Sequence, residues 1–136
     1  MNHGPADVIN TTFSNNGVQG GLSSGGAVYN QDQLQLIHCT IADNSADQGG
    51  GLRTDGGTVS MVNTLIANNQ GSNCYSSGEI ISEGHNLDSD NTCGLTSLDL
   101  KNIDPQLGLL QDNGGYTETY GLNPGSPAID AGKSLP

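Results

Sequence analysis

The chain has 136 residues, of which 32% are apolar and 4% aromatic, with three basic residues (Arg53, Lys101, Lys133) against 14 acidic ones and a net charge of −11. That is one domain's worth of chain with one continuous core. A basic stripe cannot be assembled from so few cations, which argues against nucleic acid and anionic lipid as partners, and no apolar run is long enough to insert in a membrane.

The opening "MNHGPADV" has neither a basic nor an apolar region of the kind an export signal needs. A repeat begins almost at once, and the chain reads as a slice of a longer array or a short member of one. Its first copy is "VINTTFSNN" (Val8–Asn16). The second is "LQLIHCTIADN" (Leu34–Asn44) and the third "VSMVNTLIANN" (Val59–Asn69), offset from each other by 25 residues, while Phe13 aligns with Ile41 at 28. Between them lie "GVQGGLSSGGA" (Gly17–Ala27) and "SADQGGGL" (Ser45–Leu52), Gly-rich runs in which a loop absorbs the difference in length.

Within a copy the apolar residues alternate, as in Leu34-Gln-Leu36 and Val59-Ser-Met61, which is the period of a half-buried strand. Three short strands are expected per copy, near 27–30, 33–37 and 40–43 in the second. One such unit cannot bury its own apolar residues. Stacked units can, with parallel strands about 4.8 Å apart. Phe13, Ile41 and Ile66 would form one interior file and Val8, Leu36 and Met61 another. Asn16, Asn44 and Asn69 would form a third at a bend, where amides hydrogen-bond along the stack and Asn tolerates a left-handed backbone. The alignment also extends back to Ala27 over Leu52 and places Asp55 above Asn30.

After Asn69 the repeat loosens. The pieces "NTLIANN" (Asn63–Asn69), "GHNLDSD" (Gly84–Asp90), "IDPQLGLLQDNGGYTETYGL" (Ile103–Leu122) and "PGSPAIDAG" (Pro124–Gly132) resemble the C-terminal end of bacterial cell-envelope β-helix repeat proteins of the "choice-of-anchor Q" type. These are similar to polymorphic outer-membrane and pectate-lyase-like solenoids. The resemblance implies an all-β, right-handed parallel β-helix of about three to four coils with an irregular C-terminal cap; the hand agrees with the general preference of parallel crossovers. The whole, 1–136, is read as a single domain, with stacked coils over 7–69 and a disulfide-bearing excursion and cap over 70–136. The family also carries a cysteine pair at positions matching Cys74 and Cys93, implying a disulfide and an exported, secreted or cell-surface life. Two free thiols are the alternative. Cys39 aligns with Thr11 and Thr64 and reads as a small buried filler. Pro residues in "NPGSPAIDAG" would stop the ladder at the C-terminal end. The first coil has no such cover, so its edge is expected to be open to a second copy.

Chemistry is harder to find. A pectate-lyase-like reaction needs an Arg or Lys base beside carboxylates. Arg53, Asp55 and Asp32 are the best candidates, although solvated polar residues explain them more simply. Asp43 and Asp47 lack an aligned acidic partner for a hydrolase pair. His38 falls in a polar column with Asn10 and Asn63, His85 reads as packing, and His3 as tail. "DSDNTCG" (Asp88–Gly94) loosely resembles a calcium loop but lacks the ligand spacing, so no cofactor is expected beyond adventitious calcium. The sequence therefore favours a non-catalytic structural or interaction scaffold, self-associating through its first coil. The rivals are a polysaccharide lyase or hydrolase and a carbohydrate-binding module using Tyr29 or Tyr75; a glycan or protein ligand would suit the scaffold reading.

Overall fold

In a computed structural model of the chain, which describes residues 1–135, every regular element is a β-strand. The strands are β1 (Ala6–Ile9), β2 (Thr12–Ser14), β3 (Val28–Asn30), β4 (Gln33–Ile37), β5 (Thr40–Ala42), β6 (Leu52–Thr54) and β7 (Thr58–Val62). They continue as β8 (Leu65–Ala67), β9 (Cys74–Ser76), β10 (Glu79–Ser82), β11 (Leu87–Asp88), β12 (Leu100–Lys101), β13 (Leu107–Gln111) and β14 (Thr119–Leu122). Three parallel sheets, ordered β1-β4-β7-β10, β2-β5-β8-β11-β12 and β3-β6-β9, form a parallel β-solenoid of about three turns. Strands β13 and β14 form a separate antiparallel hairpin.

The interior files expected from the repeat are present. Phe13, Ile41 and Ile66 are directly registered, as are Val8, Leu36 and Met61. Leu36, Ile41, Leu52, Val59 and Met61 are fully buried. Burying side chains of this size contributes roughly 1.5–3 kcal/mol each, and stacking is the only way so short a unit obtains that burial.

One register differs from the sequence alignment. Val28, not Ala27, pairs with Leu52, and Asn30 pairs with Thr54, not Asp55. The cause is an extra residue in the turn between β6 and β7, where Gly56 takes a left-handed φ of 72°. The slip matters, because it sets Tyr29 beside Arg53.

The stack also continues past Asn69. Strands β9, β10 and β11 lie on β6, β7 and β8 as another coil. In this coil Ser82 pairs with Met61 and Asp88 with Ile66, so polar residues take over interior positions. Over this coil, Cys93 and Leu95 are buried and join the core cluster. Cys93 is held by a disulfide to Cys74. The "NPGSPAIDAG" segment lies on the flank instead of across the last rung: Ala131 O is 2.8 Å from His85 Nδ1, and just beyond the segment Lys133 N–H donates to Asn63 Oδ1 at 2.9 Å and Asn63 Nδ2 donates to Lys133 O at 2.9 Å. The coils approach so closely at their corners that a Cβ on Gly50 would overlap the Gln70 carbonyl oxygen, and one on Gly71 that of Ala46.

The asparagine file is a continuous ladder. Asn16 Nδ2 donates to Asn44 Oδ1 (3.0 Å), Asn44 Nδ2 to Asn69 Oδ1 (2.9 Å), Asn69 Nδ2 to Asn73 Oδ1 (2.9 Å), and Asn73 Nδ2 to Asp88 Oδ1 (2.8 Å). The same oxygens accept the backbone N–H of Asn16, Asn44 and Asn69. The left-handed backbone expected at this file belongs to the residues just before it: Asn15, Asp43 and Asn68 have φ of 55°, 58° and 59°. One column turns the chain, and its neighbour ties the coils together.

Asn69→Ala would remove three of these bonds, together with the one from Asn69 Nδ2 to the Ile41 carbonyl oxygen at 2.9 Å, and strand the buried Asn44 N–H. The expected cost is about 3 kcal/mol, since an unsatisfied buried donor carries its full desolvation penalty; urea unfolding measures it. Reducing Cys74–Cys93, whose sequence separation is 19, is expected to cost a further amount of about 3 kcal/mol from loop closure, read as a lower urea midpoint with reductant.

Candidate functional site

The outer face of β3-β6-β9 carries the most concentrated set of polar and aromatic side chains on the coils. The register places Tyr29, Arg53 and Tyr75 side by side on three successive strands. Outward-pointing positions repeat at this spacing in every parallel coil, so the cluster follows directly from the register slip described above.

Arg53 is the wedge between the two rings. Its guanidinium carbon lies 4.8 Å from the Tyr75 ring centroid and 5.8 Å from that of Tyr29. Nε donates to Asp55 Oδ2 at 3.0 Å, and Nη2 lies 2.9 Å from the same oxygen. Nη1 donates to Ser24 Oγ at 2.9 Å and to Gln48 Oε1. Asp55 also accepts from the Tyr29 hydroxyl (2.6 Å) and the Ser77 hydroxyl (2.8 Å). The hydrogen bond to Asp55 pushes Arg53 up from its already high value. The Tyr29 and Arg53 donors hold Asp55 down at about 2, and the bond to Asp55 raises the Tyr29 phenol. Tyr75 keeps 41% of its surface exposed.

Of the three residues expected to share a face, Arg53 and Asp55 are bonded together and Asp32 is not. Asp32 organises its own turn, accepting Gln33 N–H at 2.8 Å on its side chain and Thr58 N–H at 2.9 Å on its carbonyl. The aromatic partners of Arg53 were visible as residue types but not as neighbours, because the gap-free alignment misplaced β3 against β6 by one residue.

The other candidates are structural ties. Asp43 Oδ2 accepts the Tyr120 hydroxyl at 2.6 Å, and Asp47 Oδ2 accepts Ser23 N–H at 3.0 Å. His85 Nδ1 is 2.8 Å from Ala131 O. His38 stands at a left-handed corner, φ 53°, beside a cavity of about 530 Å³ between the coils and the C-terminal arm. Leu65, Leu87, Leu100, Leu107 and Leu122 also line that cavity. Cys39 is buried, which pushes its thiol up. In the "DSDNTCG" loop, Asp88 accepts from Asn73 Nδ2 and Cys93 N–H, and Asp90 from Asn73 N–H and the Thr92 hydroxyl. Their oxygens face protein donors.

A carboxyl group held below its unfolded value stabilises the fold above that value and loses the contribution as pH falls toward the folded one. For Asp55 the window runs from about 4, the unperturbed value, down to about 2. Asp55→Asn is therefore expected to be less stable at pH 7 and to lose less stability across that window than the parent, as thermal melts at stepped pH would show. In comparisons with protein-family models, curated proteins and solved structures, nothing matches this chain.

Proposed function

We propose that this protein is a non-catalytic interaction scaffold: a short, rigid β-solenoid that presents fixed surfaces, working outside the cytosol. The observation that carries the reading is the state of Arg53. Each of its three guanidinium nitrogens is engaged within the protein, and both faces lie against tyrosine rings. A guanidinium raised by a carboxylate partner is poorly suited to take a proton from a sugar. It is well suited to locking three coils together across their outer face.

The exported context is supported by the Cys74–Cys93 bridge, which persists in oxidising compartments. The finer kinship with envelope proteins of the choice-of-anchor Q or pectate-lyase-like type rests on the motifs over 63–132. A carbohydrate-binding role is the second reading, favoured by the 41% exposure of Tyr75 on a flat strand face.

Turnover separates a scaffold from a lyase. Polygalacturonate or alginate incubated with the protein, followed by ultraviolet absorbance of unsaturated uronate, is expected to show no rate above the buffer blank. A rate that disappears in Arg53→Ala would overturn the proposal. Binding without turnover, lost in Tyr75→Ala, would select the second reading.

A further inference from the structure

The asparagine ladder has a direction. Between side chains, every amide in it donates toward the C-terminal end of the stack, from Asn16 through Asn44, Asn69 and Asn73 to Asp88, while Asn44 and Asn69 also donate back to the Phe13 and Ile41 carbonyls of the coil below. Each step passes a donor upward and leaves an acceptor facing the coil below. Two neighbouring columns run the same way. Asn2 Nδ2 donates to Asn30 Oδ1 at 2.7 Å and Asn30 Nδ2 to Thr54 Oγ1 at 3.2 Å. Thr64 N–H donates to Asn86 Oδ1 at 2.9 Å, and Asn86 Nδ2 to Asp99 Oδ1 at 3.1 Å.

At the C-terminal end two of these columns stop on carboxyl groups. Asp88 is fully buried and collects Asn73 Nδ2, Asp90 N–H and Cys93 N–H. Asp99 collects Asn86, Ser82 and Thr96. A carboxylate accepts and has nothing to pass on. It satisfies the cap's backbone and closes the column.

The N-terminal end is the reverse case. Strands β1 and β2 are the terminal members of their sheets, with Ala6, Val8 and Phe13 half-buried against the core cluster. Asn16 gives both its amide and its backbone N–H upward, and among the described residues no donor reaches its Oδ1. We infer that this end is a docking surface for one further parallel β-coil, from another β-solenoid segment, that brings a side-chain amide under Asn16 and apolar side chains under Val8 and Phe13. Parallel pairing extends the ladders, and the amide continues the file as each Asn does for the coil above.

A second copy of this chain is a poor occupant. Stacked tail to head it brings no ladder amide beneath Asn16, because the file has already closed on the buried Asp88. Stacked N-terminal end to N-terminal end, it opposes two Asn16 oxygens and makes the strand pairs antiparallel. The inference rests on the scaffold reading but names the partner, and its test reads binding without reference to turnover.

The probe is a synthetic peptide of this chain's own second coil, residues 26–45 with Cys39→Ser, which offers Asn44 as donor. It is titrated into the full-length, isotope-labelled protein. Amide spectra and hydrogen exchange are expected to show saturable shifts and slowed exchange in β1, β2 and the Asn16 side chain, with a dissociation constant of about 1 mM for so short a coil. The same peptide carrying Asn44→Asp, an acceptor in place of the donor, is expected to bind about tenfold more weakly, and a scrambled peptide not at all. The inference is overturned by no binding at millimolar peptide, by equal binding of the Asn44→Asp peptide, by shifts at β9–β12, or by a protein that already dimerises through β1. None of these results bears on the uronate assay, so the two readings fail separately.

Discussion

A parallel solenoid depends on each coil finding its partner in the coil above at one register only. Backbone ladders do not supply that choice, because a strand can slide by two residues and keep both its hydrogen bonds and its inward face. The asparagine file supplies it here. Asn44 and Asn69 are buried, and each oxygen accepts both an amide and a backbone N–H from the residue beneath. A slipped coil would bury several of these groups without partners, at a cost that exceeds what the shift could recover in apolar contact. With 32% apolar residues, the chain has a thin core, and its specificity comes from polar groups whose bonds are complete: among the described residues no buried side-chain nitrogen or oxygen is left without a partner.

The same logic explains how the stack ends. In the last complete coil Ser82 and Asp88 occupy the positions of Met61 and Ile66. Burial pushes the Asp88 carboxyl up, opposed by hydrogen bonds from Asn73 and Cys93. For Asp99 burial also works upward, but the donors Ser82, Asn86 and Thr96 prevail and hold it down. Carboxyl groups thus serve as terminators where amides serve as links, and the disulfide and Leu95 cover what remains of the apolar face.

The repeated phrase made the β-solenoid legible, since Phe13, Ile41 and Ile66 share both a spacing and an alternation. The coil over β6–β8 was not, for two physical reasons. Its interior turns polar at Ser82 and Asp88, and its offset shortens, with Leu52 pairing Cys74 and Ile66 pairing Asp88. The Tyr29–Arg53–Tyr75 cluster was hidden by the residue added at Gly56, a change with no effect on hydrophobic pattern. Ladder polarity lies further from reach. It is a matter of which way a side-chain amide points, and composition carries no trace of that.

The arm that lies along the flank has a consequence for how this molecule comes apart. Tyr120 bonds Ser14 and Asp43 of the first two coils, and Lys133 reaches Asn63 and Glu83 of the next two. One late stretch of polypeptide therefore straps together rungs synthesised long before it. Solenoids ordinarily fray from a terminal unit inward, but here the lowest rung is also tied to the strap through Ser14 and Tyr120. Release of the hairpin would then come before loss of the first coil, so that a stretch of chain made late would govern the lifetime of one made early.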